Sequence, residues 1–331
     1  MLSRMADALY WMARNLERAD NSARLIEINL MHLVEMEEAH FGSAQWRPLL
    51  RITGSEGIFS QLSGDREISK NHVVTFLTQE KTYPNSIVNS IQLARENARV
   101  VRDQISLEMW DCINHLWLSV TEQLKTPISP DRAPLFYSNL RGRVARFHGL
   151  TQDTMMRGEA YGFYRLGTYL ERADMTARIL DVKYHILLPN VEMVGSALDY
   201  YQWAALLKSL SGFEAFRRTY HAGLRPVDVT EFVLFSKIFP RSLRFSVERL
   251  TQGLNHICFN LPEQRTCQAL FALRDSIEQN DAPKVFKQGL HEFLQETLRR
   301  IADLNVALQA DCFEAHIERQ SVIPAEAGIP S

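Results

Sequence analysis

The stretch Leu16-Glu17-Arg18-Ala19-Asp20-Asn21-Ser22-Ala23-Arg24-Leu25-Ile26-Glu27 returns as Leu170-Glu171-Arg172-Ala173-Asp174-Met175-Thr176-Ala177-Arg178-Ile179-Leu180-Asp181. Seven of the twelve positions are identical and four more are close exchanges: Ser/Thr, Leu/Ile, Ile/Leu and Glu/Asp. The offset, 171 − 17 = 154, is close to half of the 331 residues. Around the first copy apolar residues recur at helical spacing (Met5, Leu9, Met12, Leu16, Ala19, Ala23, Ile26, Leu30, Leu33) with no Gly or Pro, which predicts one long helix from Leu2 to about Met36. The second copy predicts a helix from about Gly158 to Leu188, stopped by Pro189.

Further matches follow in the same order. Trp203, Leu206, Leu207 and Phe216 repeat Trp46, Leu49, Leu50 and Phe59 at an offset of 157, and Phe232, Lys237, Pro240, Ser242 and Ser246 repeat Phe76, Lys81, Pro84, Ser86 and Ser90 at 156. Three collinear matches argue for an internal duplication with repeats of about 1–125 and 158–280. The expected fold is all-α: a large helical bundle of two duplicated, pseudo-symmetric halves forming a single domain over 1–313. The tail 314–331, with two prolines and no period, is expected to be disordered.

Between these landmarks the pattern predicts a helix through Trp46 to Gly54, a loop over 61–71, and helix again from Val73. A proline-led helix from Tyr83-Pro84-Asn85-Ser86 carries apolar positions to Ile105, and helix continues through Trp110, Ile113 and Leu116. Three prolines mark 126–134 as a connection, ahead of a helix over about 137–156. Asp228 and Glu231 have the spacing of a capping box before Phe232, and the last helices are expected over about 262–279 and 283–313.

Composition excludes several functions. An apolar share of 46% allows an extensive core, while 37 basic against 39 acidic residues lack the positive excess that a nucleic-acid backbone demands. No window approaches the roughly 20 apolar residues of a membrane span, and Arg4, Asp7, Arg14 and Glu17 interrupt any signal-like stretch, so a cytoplasmic protein without membrane attachment is expected. Cys112, Cys258, Cys267 and Cys312 have no Cys-x-x-Cys spacing and read as small hydrophobes. Glu37-Glu38-Ala39-His40 has the Glu-x-x-His spacing of di-iron bundles, but such sites need it twice, so no metal is expected. With no Gly-x-Ser-x-Gly, P-loop or dinucleotide fingerprint, neither is a cofactor.

The charges of the repeated helices are the candidates for function. At 100° per residue Met12, Leu16, Ala19, Ala23, Ile26 and Leu30 share one side of the first helix, with Tyr10, Arg14, Glu17, Asn21, Asp20 and Arg24 broadly on the other. Asp20 with Arg24, and Asp174 with Arg178, are i,i+4 acid-before-base pairs. A solvated salt-bridged face is one reading. The other, favoured because exposed pairs drift apart after duplication, sets the two helices side by side with Glu17, Arg18, Glu171 and Arg172 partly buried and cross-paired, as a structural framework or, alternatively, as a ligand or partner site built on the same charges. A separate charged run, Ala94-Arg95-Glu96-Asn97-Ala98-Arg99-Val100-Val101-Arg102-Asp103, has no charged equivalent at Leu250-Thr251-Gln252-Gly253. Arg95, Arg99 and Arg102 would be the clamp for a carboxylate or phosphate, and an Arg99 to Asp103 pair on a solvated face is the alternative.

Taken with Met1-Leu2-Ser3-Arg4 through Tyr10-Trp11-Met12-Ala13-Arg14-Asn15-Leu16-Glu17-Arg18-Ala19 and Leu166-Gly167-Thr168-Tyr169-Leu170-Glu171-Arg172-Ala173, that charged run makes the sequence resemble the bacterial alpha-E family over about residues 1 to 313. One departure is Thr168, where the family commonly has Arg and where Arg14 stands in the first copy. The resemblance implies an all-helical domain that accompanies a circularly permuted ATP-grasp peptide ligase, a transglutaminase-like protein and, at times, a proteasome-like hydrolase. No activity of the helical protein itself follows from such neighbours; the first reading is a non-catalytic accessory role in peptide synthesis or tagging, by docking or substrate presentation, with a small peptide or anionic ligand as a further partner. The alternative is an enzyme of the same pathway, with Glu17 or Glu171 as acid or base and the arginines holding a carboxylate or phosphate.

Overall fold

A run of 33 residues without Gly or Pro, rich in Ala, Leu and Arg, forms α1 (Ser3–Glu35), the longest helix of the computed structural model. The structure describes residues 1–35, 46–64, 68–126, 128–129, 131–186, 197–257 and 264–314. Among these every regular element is helical: α2 (Arg47–Ile52), α3 (Glu56–Ser63), α4 (Lys70–Gln79), α5 (Ile87–Val100), α6 (Leu107–Gln123), α7 (Ala133–Thr154), α8 (Glu159–Ile186), α9 (Ala197–Ser209), α10 (Phe213–Thr219), α11 (Pro226–Thr230), α12 (Leu243–Asn255), α13 (Arg265–Glu278), α14 (Ala282–Gln288) and α15 (Leu290–Leu308). Single π-helical turns follow α11 and α15. No helix of the described residues is long and apolar enough to cross a membrane.

The two long helices α1 and α8, which carry the Glu-Arg pairs, pack against each other at the centre. Each gathers its own set of neighbours: α1 packs on α5 and α7, which sandwich α6, and α8 packs on α12 and α15, which sandwich α13. The short helices cross over, α2 packing on α8 and α9 on α1. A helix surrounded in this way has no solvated face, so the polar side expected for α1 is buried too: Tyr10 and Glu17 have no exposed surface and Asp20, Asn21 and Arg24 almost none.

Equivalent positions recur with equivalent geometry. Phe59 meets Phe76 edge-on at 5.1 Å and Phe76 stacks on Tyr83 at 4.7 Å; Phe216 meets Phe232 edge-on at 5.6 Å and Phe232 stacks on Phe239 at 4.4 Å. Ser86 caps α5 by accepting from the Asn89 amide, and Ser242 caps α12 by accepting from the Phe245 amide. After α2 the chain turns at Gly54 with φ 64°, and after α9 at Ser211 with φ 53°. Ser211 thus takes a left-handed conformation that L side chains rarely adopt.

Several boundaries differ from the sequence reading for local reasons. Part of the expected 61–71 loop is the end of α3. Pro84 sits in the turn before Ser86 rather than in the first turn of α5, which ends at Val100; Val101 and Ile105 are buried in the following turn. Asp228 and Glu231 do not form a capping box: Asp228 pairs with Arg225 at 2.5 Å, while Glu231 accepts from the Ala282 amide at 2.9 Å and so caps α14. The expected 283–313 helix is interrupted at Gly289, whose φ of 107° divides α14 from α15. The Glu37 to His40 spacing, Cys258 and residues 315–331 of the tail lie outside the described residues.

Candidate functional site

Because α1 and α8 run side by side, each presents its glutamate to the other's arginine. Arg172 donates from Nε to Glu17 Oε1 (2.9 Å) and from Nη2 to Oε2 (2.8 Å), and Arg18 donates from Nε to Glu171 Oε1 (2.6 Å) and from Nη2 to Oε2 (2.9 Å). Both are bidentate forks, the strongest geometry available to these groups. Each glutamate then receives a second guanidinium, from a different place in the chain.

At Glu17 the second guanidinium is Arg241, just before α12. It bridges Glu17 Oε1 (3.0 Å), Asn21 Oδ1 (2.9 Å) and Asp20 Oδ2 (2.9 Å). Asp20 also pairs with Arg24, which reaches Ser211 Oγ at 3.1 Å, and Arg141 of α7 pairs with Glu27. His148 of α7 closes this side, with Nδ1 hydrogen-bonded to the Tyr164 hydroxyl and Nε2 3.5 Å from Glu17 Oε2. Large side chains therefore fill this face.

At Glu171 the second guanidinium is Arg14, one helical turn before Arg18, with Nε 2.9 Å and Nη2 2.8 Å from Oε2. Arg14 Nη1 also donates to Asn305 Oδ1 (2.8 Å), which accepts from the Tyr10 hydroxyl (2.6 Å). Asp174 takes both its hydrogen bonds from Arg178, at 2.7 and 3.2 Å. Arg18 Nη1 donates to Asn85 Oδ1 at 2.6 Å, and beyond Asn85 the surface opens.

The electrostatics follow from this pairing. Burial alone would raise the pKa of Glu17, but the charges of Arg172 and Arg241 outweigh it and hold the carboxyl well below the usual range. At Glu171 burial is again the largest influence, and Arg18 and Arg14 together overcome it, bringing the carboxyl down to about 2. Burial pushes His148 below its ordinary value, with Glu17 opposing only in part, so the ring is neutral near pH 7.

Acid sensitivity follows. A folded-state pKa below the unfolded one means that the unfolded chain binds the proton first, so stability falls as pH falls. Denaturation midpoints are expected to drop in two stages, beginning below the ordinary histidine value of 6.5 through His148 and again below the ordinary glutamate value of 4.5 through Glu17 and Glu171. His148→Gln should flatten the first stage and leave the second. An unchanged slope between pH 6.5 and 5 in that variant would refute the assignment.

The other charged run lies elsewhere. On α5, Arg95 donates to Asn114 (2.8 Å) and Glu96 (2.9 Å) and the exposed Arg99 pairs with Glu96 (3.0 Å) rather than with Asp103; in the turn after α5, Arg102 covers the Trp110 ring at 4.6 Å. Arg95, Glu96, Arg99 and Arg102 thus form a surface of the α5–α6 pair, and the structure does not bring them to Glu17 or Glu171. Sequence reasoning missed Arg241, Arg141, His148, Asn85 and Asn305. Their roles depend on which helix ends meet, although Asn85 and Arg241 occupy matching positions beside Ser86 and Ser242.

Fold and site together define a class: an all-helical protein whose central helices exchange buried Glu-Arg pairs. The chain belongs to the Alpha-E family, described as a predicted alpha-helical domain with a conserved ER motif, which matches over residues 1–313. It is also 24% identical, over 332 aligned residues and 92% of its length, to uncharacterized proteins from Mycobacterium bovis and Mycobacterium tuberculosis. It spans 37% of the length of these curated relatives. No solved structure matches it significantly.

Proposed function

We propose that the chain is a non-catalytic accessory domain of an ATP-grasp peptide ligase system, acting in peptide synthesis or tagging by docking on the ligase or presenting its substrate. The observation that carries this reading is the saturation of both glutamates. Every carboxylate oxygen of Glu17 and Glu171 accepts a hydrogen bond from a guanidinium. A general acid or base needs a pKa near the working pH, and the paired guanidinium groups hold both carboxyls far below it. Glu17 and Glu171 are therefore framework, which weighs against the alternative of an enzyme using them.

The length of the mycobacterial relatives supports a domain that works beside other folded parts. The α5–α6 surface is the proposed docking face: it combines the exposed guanidinium of Arg99 with exposed Leu93, Val100 and Leu107. Mixed arginine and apolar surface of this kind is typical of protein interfaces. We further propose that the two halves descend from an internal duplication, which the paired aromatic clusters, serine caps and exchanged Glu-Arg forks support. The transglutaminase-like protein would be a second partner of the same system.

Co-purification with an ATP-grasp ligase tests the reading. Capture is expected with the unaltered chain, and at least about tenfold weaker capture with Arg95→Ala combined with Arg99→Ala. Peptide-ligating or peptide-cleaving activity of the isolated protein, abolished by Glu171→Gln in a folded variant, would overturn it.

A further inference from the structure

The two faces of the α1–α8 pair are built on the same plan and finished differently. On the Glu17 face, the guanidinium of Arg241 occupies the space between Glu17, Asp20 and Asn21. The matching position on the Glu171 face is Asn85, whose side chain stops at Arg18. Met175 stands where the first copy has Asn21. The shorter side chain leaves a cavity of about 370 Å³ lined by Arg14, Arg18, Tyr83, Asp174, Arg178 and Asn305, among others.

That cavity is polar and its charge is unbalanced. Arg14, Arg18 and Arg178 contribute three positive charges against two negative ones from Glu171 and Asp174, a surplus of one. Arg14 and Arg18 are largely withdrawn from solvent, with side chains only 11% and 16% exposed. A guanidinium has five N–H donors, and the bonds to Glu171, Asn85, Tyr10 and Asn305 leave N–H groups of Arg14 and Arg18 without a carboxylate to themselves. Two such planar groups suit a carboxylate.

We propose that this cavity is a binding site for a small organic monocarboxylate of amino-acid to dipeptide size, whose carboxylate docks on Arg14 and Arg18 with Arg178 at the rim. Charge selects the class. A single negative charge neutralises the surplus, whereas a phosphate, which carries nearly two near neutral pH, would overshoot it beside the carboxylates of Glu171 and Asp174. The size of the cavity sets the upper limit, since small-ligand sites begin at about 300 Å³. Tyr83, Asn85 and Asn305 supply neutral hydrogen-bonding groups for the rest of the ligand.

The test uses the isolated protein, so its result is independent of the ligase partnership proposed above. Binding is measured by saturation-transfer NMR and calorimetry for N-acetylglycine, N-acetylglycylglycine and N-acetylalanylalanine, each with one carboxylate and no compensating amine, for their C-terminal amides, and for inorganic phosphate. At least one free acid is expected to bind, and its amide to bind at least about tenfold more weakly. Asn85→Arg should place a guanidinium where Arg241 sits on the other face and abolish binding, with the circular dichroism of the folded chain retained. The proposal is overturned if no free acid binds, if the amides bind as well, if phosphate displaces the best free acid, or if folded Asn85→Arg binds normally. The comparison of acids with amides stands even if Asn85→Arg fails to fold.

Discussion

Glu17→Ala is expected to destabilise the fold by about 3–5 kcal/mol, because it leaves the buried Arg172 without its carboxylate and Arg241 with only Asp20, which it shares with Arg24. The Glu17 side chain has no exposed surface, and those of Arg172 and Arg241 are only 12% and 14% exposed, so solvent screens little of the unpaired charge. Glu17→Gln should cost less, since the amide oxygen still accepts from one guanidinium while the charge is lost. Replacing Glu17 and Arg172 together by methionine should recover part of the loss, because a paired buried charge contributes far less than breaking the pair removes. Chemical denaturation of the three variants measures this. A Glu17→Ala loss under about 1 kcal/mol would mean that the forks are screened as surface bridges are.

Gly167→Ala is the second large effect. A Cβ at residue 167 would lie 2.2 Å from the Tyr10 carbonyl oxygen and 3.0 Å from the Ala13 Cβ. Neither can move aside without shifting α1 as a whole, since the nearer obstacle is backbone. The helices must separate exactly where Arg14 and Glu171 meet one turn further along, so the steric penalty is compounded by lengthened ionic hydrogen bonds. Overpacking of this kind costs about 1–3 kcal/mol and the strained forks add to it. Gly142→Ala on α7 is the control: nothing lies within 4 Å of its Cβ position, and Ala is the better helix former by up to about 1 kcal/mol. Thermal unfolding should therefore move in opposite directions for the two substitutions. Equal midpoints would sink the close-packing account.

Much of this architecture was legible in the sequence. The all-helical class, the central place of the Glu-Arg helices and the ends of α1 and α13, with the start of α8, followed from periodicity and from Gly and Pro. What periodicity could not supply was the burial of the polar side of α1. A 3.6-residue repeat separates apolar from polar residues, and it reads the polar set as solvated unless something else shows that a second helix covers it. The covering helix is α8, which is distant in sequence. The same limit hid Asn85 and Arg241: each lies outside its helix, before a serine cap, and gains meaning only when α5 and α12 are set against the Glu-Arg pair. Arg95, Arg99 and Arg102 drew attention as a dense run, yet dense charge on consecutive helical turns is what an exposed face carries. Arg14 and Arg18, spaced at i,i+4 beside Glu17, are the arginines that meet Glu171.

The exchange of forks between α1 and α8 also bears on how the chain is made. Glu17 is separated by 155 residues from Arg172 and by 224 from Arg241, so its counter-ions are polymerised long after it. At translation rates of about 5–20 residues per second, Glu17 waits roughly 8–30 s for Arg172. During that interval the nascent α1 holds a carboxylate that the finished protein keeps dry, and Arg18 likewise waits for Glu171. Closure of the long loop precedes the ionic reward, as in other folds dominated by distant contacts. The burial of Glu17 and of Arg18 is thus complete only once α8 has docked on α1.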